Sequence, residues 1–454
     1  MKTFDLIVIG SGAGLNVAVG AAEQGLKVAI VEDGPLGGTC LNRGCIPSKI
    51  VIHSAEVAEW IHRAKEFGLT AKLNKVNFKF VTDRASHAVD DDSHSIEKNV
   101  RAEKNPVLYK GRGKFVDKYV VEVNGEKIKG KKILIAAGAR PSIPPIPGLD
   151  KVPYLTSTEA LRQTVLPKSM IIIGGGYIAV ELGFFYAELG TKVTIVQRNI
   201  ALVPREDQEV SNLITDLWKK KHTVFTSADV LKVEKQRSGV TVTVKVGNST
   251  KKITAEKLLV ATGVNPNSDT LQLQKTSVKV NDKGFISVNR FMETNVKNIW
   301  ALGDIAGVYL FRHSANLEAE YVLNHVLGTK KAVDYYPMPH AIFTSPEIAG
   351  VGLTEQEAQQ QKKQYVVGKA YYKDTGKGFA IGEKNGFVKL IVDKKSKEIL
   401  GCHILGPEAS VLLHEVCIAM KAGKNKALEL LRNTIHVHPA LSEVVQRAAL
   451  AVPL

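Results

Sequence analysis

Cysteine, aromatic residues and long apolar runs are all scarce in this sequence of 454 residues. Its 4 cysteines are too few for the disulfide scaffold of a secreted domain and suit a reducing compartment. Aromatic residues make up only 6%, which argues against a basic and aromatic face for nucleic acid. No apolar run approaches the ~20 residues of a membrane span. The start leads directly into an apolar strand at residues 6–9, without room for a signal peptide, so we expect a cytoplasmic protein.

The charge balance is strongly positive. The chain has 61 lysine and arginine residues and 45 acidic residues, which gives a formal net charge of +16. An acidic partner, attracted over a long range, would explain this excess. The basic residues are scattered in short groups such as 219–221, and no long basic block occurs. We therefore interpret the charge as a solvated lysine-rich surface and expect neither a nucleic-acid nor a membrane partner.

Two stretches, residues 5–32 and 170–197, repeat one pattern. Each contains an apolar strand, a glycine turn, a helical stretch and a second apolar strand. This is the order of a parallel βαβ unit, so the sequence predicts an α/β fold with two dinucleotide sites. Two further apolar strands end at Gly138 and Gly263. A different region begins near Pro337, and the length of the chain suggests roughly three domains.

The two glycine turns are typical of pyrophosphate sites. Glycine permits a tight turn and a close approach of the backbone, and the helix that follows supplies N–H groups and partial positive charge. At the first turn Leu15 stands at the usual third-glycine position, which leaves close packing of the helix on the strand open. The residues predicted to approach the cofactors are Gly10, Gly12 and Gly14 in the first turn and Gly174, Gly176 and Ala179 in the second.

The residue that ends the second strand of each unit indicates which nucleotide binds. In the first unit this residue is Glu32, whose carboxylate can accept both hydrogen bonds of a ribose diol. In the second unit Gln197 stands in this place and Arg198 follows it. The missing carboxylate and the added guanidinium suit a ribose 2′-phosphate, so NADP(H) is favoured over NAD(H). Arg205 is a further candidate for a phosphate contact.

The most specific segment, residues 37–49, contains Cys40 and Cys45. On a helix a disulfide could bridge this spacing only with some distortion, and a strained, accessible disulfide is easily reduced. A position near a helix start lowers the pKa of a thiol. Zinc is the competing interpretation, but the spacing and the lack of a second cysteine pair argue against it, so no metal site is predicted. We interpret the two cysteines as a redox pair, with Lys49 able to pair with an anion nearby.

A candidate base, His438, follows much later in the chain. Imidazole titrates in the range needed to take a proton from a thiol. Glu443, five residues on, can orient the ring and stabilise its charged form. We interpret the neighbouring His436 as structural, and Cys402 and Cys417 as small buried residues.

Together these segments resemble the glutathione reductase and dihydrolipoamide dehydrogenase family of pyridine nucleotide-disulfide oxidoreductases over essentially the whole chain. The resemblance implies two Rossmann-like domains, for FAD and NAD(P), and a C-terminal α+β domain that forms a homodimer. It places the FAD-binding domain at residues 1–150 and 262–335, the NAD(P)-binding domain at 151–261, and the dimerisation domain at 336–454.

The resemblance also implies roles in thiol chemistry. Cys40 would be the interchange thiol that attacks the substrate, and Cys45 would form the charge-transfer thiolate against the flavin. The segment with His438 and Glu443 resembles the family's His-Pro-x-x-Ser-Glu signature. In the family this base belongs to the partner subunit, so one complete site would need two chains.

Further residues are implied at the cofactors. Lys49 and Glu181 would form an ion pair beside the flavin, and Tyr177 would be an aromatic lid over the nicotinamide. Residues 298–304 resemble the second FAD motif, in which Asp304 would hold the ribityl chain. The remaining residues expected at the cofactors are Gly38, Thr39, Gly138, Gly263 and His313.

The sequence leaves two main candidate substrates, a dihydrolipoyl group and a small-thiol disulfide. The cysteine and histidine segments most resemble dihydrolipoamide dehydrogenases, which reoxidise the dihydrolipoyl group of 2-oxo-acid dehydrogenase complexes with NAD+. Gln197 and Arg198 instead resemble the NADPH-using members, and residues 313–318 resemble both dihydrolipoamide dehydrogenases and mycothione reductases. Arg43 stands where an apolar residue is usual, and we expect it to lower a thiol pKa or to meet an anionic substrate.

Three alternatives therefore stay open beside a dihydrolipoamide dehydrogenase. The first is an NADPH-dependent reductase of a small-thiol disulfide, as in glutathione or mycothione reductases. A mercuric reductase is less favoured, because the chain has a histidine base and no cysteine pair near residue 454. The third, from another class, is a binding protein with a basic surface on a redox-inactive form of the fold.

Overall fold

The first predicted βαβ unit opens the chain. The structure, a computed structural model, describes residues 1–453. Strand β1 (Lys2–Ile9) leads through the glycine turn into helix α1 (Gly14–Glu23), and β2 (Val28–Glu32) returns parallel to β1. The next elements are α2 (Gly38–Arg43), α3 (Cys45–Arg63), a 3-10 helix (Ala64–Phe67), α4 (Phe78–Ala102), β3 (Val107–Lys110), β4 (Gly113–Asp117), β5 (Val120–Val123), β6 (Glu126–Ile135) and β7 (Ala139–Pro141).

The second βαβ unit follows a 3-10 helix (Leu149–Lys151) and helix α5 (Ser157–Ala160). Its strands β8 (Ser169–Ile173) and β9 (Lys192–Val196) are parallel, with helix α6 (Tyr177–Glu188) between them. The elements after it are α7 (Gln208–Lys221), β10 (Thr223–Phe225), β11 (Ala228–Gln236), β12 (Gly239–Val246), β13 (Ser249–Ala255) and β14 (Lys257–Val260).

The remainder of the chain first returns to strands of the N-terminal region and then forms a separate sheet. Its first elements are β15 (Val264–Pro266), 3-10 helices (Asn267–Thr270, Leu273–Lys275), β16 (Ile299–Ala301), a 3-10 helix (Gly303–Ile305) and α8 (Arg312–Val326). The last are β17 (Pro339–Ile342), β18 (Ile348–Gly352), α9 (Glu355–Gln360), β19 (Tyr365–Tyr371), a 3-10 helix (Tyr372–Asp374), α10 (Gly376–Ala380), β20 (Phe387–Asp393), β21 (Ile399–Leu405), α11 (Ala409–Ala422), α12 (Ala427–Asn433) and α13 (Glu443–Leu450).

The described residues fall into two compact units. The first unit contains Met1–Ile50, Phe80–Ser142 and Gly263–Tyr335, and the second contains Val51–Lys79, Ile143–Thr262 and residues 336–453. The boundaries of the three predicted domains stay a prediction. Among residues 1–453, no helix has both the length and the apolar character that crossing a bilayer requires.

A sheet of seven strands is the core of the first unit. Strands β3, β2, β1, β6 and β16 are parallel, and β5 and β4 extend the sheet antiparallel from β6. Leu6, Ile7 and Val8 in β1 are each 0% exposed. Such an unbroken apolar run is typical of a parallel strand that is covered on both faces, and it explains why the sequence pattern predicted this strand.

The second unit contains three sheets. Strands β10, β9, β8 and β14 form a parallel sheet, and β11, β12 and β13 form an antiparallel one. The C-terminal sheet has the order β17, β18, β21, β20, β19 and is antiparallel throughout. Residues of α11, α12 and α13 share one apolar core with this sheet. The predicted class, α/β with two Rossmann-like parts and a C-terminal α+β part, is confirmed.

Candidate active site

The two cysteines of the predicted redox pair lie on different helices. Cys40 is in the first turn of α2, which ends at Arg43, and Cys45 is the first residue of α3. The predicted distortion is therefore a break in the helix at Gly44. A Cβ atom at Gly44 would be 2.9 Å from the Thr39 carbonyl oxygen, so only glycine lets the break fold back on the first turn. This arrangement brings the two thiols within hydrogen-bonding reach of each other.

The two thiols differ in acidity, because their pKa values are shifted in opposite directions. The pKa of Cys40 is lowered to about 7, mainly because Cys45 donates a hydrogen bond to its sulfur, while burial opposes the shift and the positive charges of Arg312 and Lys49 assist it. The pKa of Cys45 is raised, because its proton is held in the hydrogen bond to Cys40 and because it is partly buried. The more easily formed thiolate is thus on Cys40, the residue expected to attack the substrate.

The arginine that acts on Cys40 is Arg312, which the sequence analysis did not indicate. Arg312 is the first residue of α8, and its Nη1 donates to the Gly37 carbonyl oxygen at 3.4 Å. Arg43, which was expected to lower a thiol pKa or to meet an anionic substrate, lies beside the turn at Gly34, where a Cβ atom would be 3.0 Å from its Nη2. The cations that lower the pKa of Cys40 are Arg312 and Lys49.

The cysteine segment is held against the first glycine turn. A Cβ atom at Gly38 would be 2.6 Å from the Cα of Gly12, so the backbones of the two segments touch directly. The amide of Asn42 and the hydroxyl of Ser93 both donate to the Leu36 carbonyl oxygen, at 2.9 and 2.8 Å. The loop before α2 is therefore fixed from two sides, and Cys40 and Thr39 follow directly after the contact with the turn.

The first turn itself depends on two glycines. Gly10 has φ +103°, and a Cβ atom there would be 2.2 Å from the carbonyl oxygen of Ala136. A Cβ atom at Gly14 would be 2.8 Å from the Cβ of Ala136 and 2.9 Å from Cγ1 of Val8. Gly14 therefore allows the close packing of helix on strand that Leu15 had left open.

Glu32 joins the end of β2 to this turn. Its Oε2 accepts hydrogen bonds from the backbone N–H and the hydroxyl of Ser11, at 2.8 and 2.7 Å, and its Oε1 accepts one from the N–H of Gly34 at 2.7 Å. A carboxylate offers about four lone-pair positions. Glu32 therefore has capacity left for the hydroxyl groups of a ribose.

Two carboxyl groups follow β16: Asp304 is half-buried and Glu318 is buried. Burial raises the pKa of Asp304. It is also the main cause of the raised pKa of Glu318, which is 0% exposed. Glu318 accepts from the N–H of Gly303 at 2.6 Å and from the Tyr335 hydroxyl at 2.8 Å, so it braces the segment that presents Asp304. His313, on α8, stacks on the ring of Phe311 with 5.2 Å between centroids. Glu318 was not among the predicted site residues.

The second glycine turn repeats the geometry of the first. Gly174 has φ +113°, and a Cβ atom there would be 2.2 Å from the carbonyl oxygen of Ala261. Gly176 precedes the first residue of α6, and Ala179 in its first turn is 0% exposed. The N-terminus of α6 thus faces the same kind of turn as that of α1.

Tyr177 and Glu181 lie one turn apart on α6. The Tyr177 hydroxyl donates to Oε1 of Glu206 at 3.0 Å, and burial raises its pKa, so it stays protonated. Oε1 of Glu181 accepts from the backbone N–H of Phe343 at 3.0 Å. The ion pair of Glu181 with Lys49 stays a prediction.

The residues that follow β9 differ in exposure. Gln197 is only 5% exposed, and its amide lies 3.5 Å from the Ala201 carbonyl oxygen. Arg198 and Arg205 are both exposed. The side chain of Gln197 is turned into the loop, and its contact with a nucleotide stays a prediction, as does that of the two exposed arginines.

His438 and Glu443 are paired as predicted from their spacing. Nδ1 of His438 lies 2.9 Å from Oε1 of Glu443, whose Oε2 accepts from the N–H of Ala440 at 3.0 Å. The hydrogen bond to His438 lowers the pKa of Glu443, so the carboxylate stays charged beside the ring. The side chain of His438 is 74% exposed, which leaves its other nitrogen accessible.

The side chains of His436, Cys402 and Cys417 are buried, in agreement with their interpretation as structural residues. Nδ1 of His436 lies 2.8 Å from the Thr434 carbonyl oxygen, and Nε2 lies 3.2 Å from Glu415. Cys402 is 0% exposed and Cys417 8% exposed. Burial raises the pKa of both thiols, that of Cys417 to about 11, which keeps them protonated.

The predicted site residues are divided between the two units. Those in the first unit are Gly10, Gly12, Gly14, Glu32, Gly38, Thr39, Cys40, Cys45, Lys49, Gly138, Gly263, Asp304 and His313. Those in the second are Gly174, Gly176, Tyr177, Ala179, Glu181, Gln197, Arg198, His438 and Glu443. The residues that sequence reasoning did not single out are Arg312, Glu318, Glu206 and His340. Glu318 lies in the segment 313–318 that resembles the family, and contacts between distant residues reveal the other three.

Comparison with known proteins agrees with this geometry. Residues 4–320 match the family described as pyridine nucleotide-disulphide oxidoreductase, and residues 338–449 match its dimerisation domain, which indicates a homodimer. A dihydrolipoyl dehydrogenase of Geobacillus stearothermophilus is 36% identical over 98% of this chain and 95% of its own length. A mycothione reductase of Mycobacterium tuberculosis is 35% identical over 100% of both chains.

Among solved structures, the HOCl-induced flavoprotein disulfide reductase RclA from Escherichia coli superposes with a TM-score of 0.87. Its sequence is 28% identical, and the match covers 97% of this chain and 98% of that one. The chain belongs to the pyridine nucleotide-disulfide oxidoreductase family, whose members are FAD-dependent enzymes with NAD(P)H as the nicotinamide coenzyme.

Proposed function

We propose that the chain catalyses thiol–disulfide exchange through a disulfide between Cys40 and Cys45, and that its substrate is a dihydrolipoyl group, as in dihydrolipoamide dehydrogenases. The observation that supports this most directly is the paired thiols at the helix break, with the pKa of Cys40 lowered to about 7. A thiolate that forms near neutral pH is both a nucleophile and a good leaving group in exchange reactions.

The first unit fits a bound FAD. The turn at Gly10 and Gly12 ends at the N-terminus of α1, where N–H groups and partial positive charge favour a pyrophosphate. Glu32 has acceptor capacity for a ribose, and Asp304 would hold the ribityl chain. When bound, FAD supplies the two-electron carrier between the thiols and the nicotinamide.

The thiol steps follow from the two sulfurs. A thiolate of the dithiol substrate attacks the sulfur of Cys40, forms a mixed disulfide and releases Cys45 as a thiolate. The second thiolate of the substrate then attacks the substrate sulfur that is bonded to Cys40 in the mixed disulfide. This step closes the substrate disulfide and releases Cys40 as a thiolate. The substrate loses two electrons and two protons, and the cysteines gain the electrons. Arg312 and Lys49 stabilise the negative charge that appears on the pair.

His438 would hold the proton that leaves the substrate thiol, and Glu443 would keep its ring oriented and stabilise the imidazolium. We assign this base to the partner subunit, so that each site combines the cysteines of one chain with the histidine of the other. The exposure of His438 at 74% supports this, because a base that acts across an interface must be accessible from outside its own chain.

For the coenzyme we propose NADP(H). Arg198 and Arg205 are exposed after β9, no carboxylate ends that strand, and guanidinium groups suit a 2′-phosphate. This feature also favours the second candidate, NADPH-driven reduction of a small-thiol disulfide as in glutathione or mycothione reductases. The two candidates share every residue of the thiol chemistry and differ in the substrate.

Steady-state turnover tests the proposal. We expect the holoenzyme to oxidise dihydrolipoamide with NADP+ or NAD+, and Cys40→Ser and Cys45→Ser to lose roughly 1000-fold or more in kcat, because neither can form the disulfide. Cys417→Ala, at a buried thiol outside the pair, is the control and should retain turnover. Wild-type rates in either serine variant would contradict the mechanism, and faster NADPH-driven reduction of glutathione or mycothiol disulfide would favour the second candidate.

The acidity of Cys40 gives a pH prediction. Because its pKa is lowered to about 7, the thiolate is present above that pH and is lost as the pH falls through it. Alkylation of the reduced holoenzyme by iodoacetamide should rise through a midpoint near pH 7. Arg312→Gln removes a favourable positive charge, so the midpoint should move upward by up to about 1 pH unit. Arg43→Gln is the matched control, and an equal shift in both variants would contradict the role of Arg312.

The coenzyme assignment predicts a selective loss. Arg198→Ala should raise the KM for NADPH about tenfold, because one charge-assisted contact to the 2′-phosphate is lost, and should leave the KM for NADH unchanged. Lys192→Ala, an exposed cation at the opposite end of β9, is the control. Equal changes in both coenzymes, or a preference of the wild type for NAD+, would overturn the assignment.

Mixed dimers test the shared site. A heterodimer of a Cys40→Ser chain and a His438→Gln chain, isolated with two affinity tags, keeps one intact site if the histidine acts across the interface. It should then show about half of the wild-type activity, whereas each homodimeric variant should be nearly inactive. If cysteines and histidine act within one chain, the heterodimer should be as inactive as its parents.

A further inference from the structure

A row of basic side chains crosses the C-terminal sheet of the second unit. In the strand register His340 on β17 pairs with Gly350, Gly350 with His403, His403 with Lys389, and Lys389 with Lys369 on β19. Residues paired in this way point to the same face of a sheet. His403 and Lys389 are each only 1% exposed. We call His340, His403, Lys389 and Lys369 the basic row.

The start of α7 lies against the basic row. Asp207, the N-cap residue of α7, is 0% exposed and lies 3.0 Å from Nζ of Lys389. Glu209 lies 3.0 Å from Nζ of Lys369. Burial alone would raise the pKa of Asp207, but His403 and Lys389 together with a backbone N–H lower it, so the carboxylate stays charged. The segment before α7 is thus fastened to the sheet by buried charges.

Glu206, the residue before Asp207, bridges the basic row to Tyr177. One carboxylate oxygen accepts from the Tyr177 hydroxyl at 3.0 Å, and the other lies 2.7 Å from Nε2 of His340. Glu206 is 2% exposed. The rings of Tyr177 and His340 are almost parallel, at 2° and 6.5 Å between centroids. The backbone of Glu206 is also held, because Gln356 donates to its carbonyl oxygen at 2.8 Å.

His340 in turn has little room to move. A Cβ atom at Gly350 would be 2.7 Å from Cε1 of His340 and 3.0 Å from Nδ1 of His403. The missing side chain therefore allows the two imidazoles to approach from either side of one residue. A ring packed in this way gives the Glu206 carboxylate a fixed partner.

We propose that Tyr177 is a fixed wall of the nicotinamide site, held in place by Glu206 and His340 as positioning residues, and that it does not act as a swinging lid. The proposal rests on the assignment of Tyr177 to that site. Swinging the ring away would break a hydrogen bond to a buried, charged acceptor, which is among the stronger hydrogen bonds in proteins. The carboxylate cannot follow the ring, because it is tied to His340 and its chain neighbour Asp207 is tied to Lys389.

The two behaviours predict opposite signs for one substitution. Tyr177→Phe keeps the ring and removes the hydroxyl. If the ring is a fixed wall, the loss of its anchor should raise the dissociation constant of NADP+ for the oxidised holoenzyme, measured by calorimetry, roughly three- to tenfold. If the ring is a lid that must open, the same change removes a bond that has to break, so the dissociation constant should fall or stay the same.

The role of His340 is tested by a double-mutant cycle. His340→Leu should also raise the dissociation constant in the wild-type background, but should add little in the Tyr177→Phe background, because both changes break one bridge. Fully additive effects would contradict the bridge.

Tyr186→Phe is the matched control. This tyrosine lies on the same helix and donates to the Ala160 carbonyl oxygen at 2.6 Å, but belongs to neither the bridge nor the glycine turn. It should leave the dissociation constant unchanged. A wild-type holoenzyme that binds neither NADP+ nor NAD+ would overturn the proposed function itself. Wild-type binding with an unchanged or lower constant in Tyr177→Phe would overturn only the fixed wall.

Discussion

A lysine ammonium group with almost no access to water lies on β20 of the second unit. Lys389 is paired with Asp207, and its neighbours on both sides across the sheet are also basic. Removing one partner of a buried ion pair typically costs about 3–5 kcal/mol, because the other charge is left uncompensated. The start of α7 therefore cannot leave the sheet. The loop from Arg198 to Glu206 is fixed at its far end by this pair and at its near end by β9, so its two exposed arginines project from a rigid support.

The thiol pair in the first unit depends on a different constraint, which is the contact of two backbones. Because Gly38 and Gly12 touch, the start of α2 cannot shift without moving the first glycine turn. Cys40 therefore has a fixed position relative to the turn at which a dinucleotide would bind. The charges around it come from separate elements: Lys49 from α3 and Arg312 from the start of α8. Rigid backbone contact sets the position of the sulfur, and converging cations set its acidity.

Sequence pattern predicted those features that are local. The apolar runs ending in glycine indicated β1 and β8, and the spacing of His438 and Glu443 indicated their hydrogen bond. Contacts between distant segments were not predictable in this way. Arg312 contacts a residue 275 positions away, and His340 meets Glu206 over 134 positions. No motif marks such partners, because only the folded sheet brings them together. The break at Gly44 and the burial of Gln197 are local but depend on packing, which periodicity does not record.

The contrast between the four cysteines has a practical side. Cys40 and Cys45 are accessible. Cys402 and Cys417 are enclosed in the apolar core, where burial raises the pKa of their thiols. A thiol-specific mass label applied briefly to the folded protein should therefore mark Cys40 first, because its pKa is lowered to about 7, and should leave Cys402 and Cys417 unlabelled until denaturation. The label on each intact chain then reports its oxidation state directly: none when the pair is bonded and at least one when it is reduced. The fold thus makes every molecule a readable redox indicator without any engineered probe.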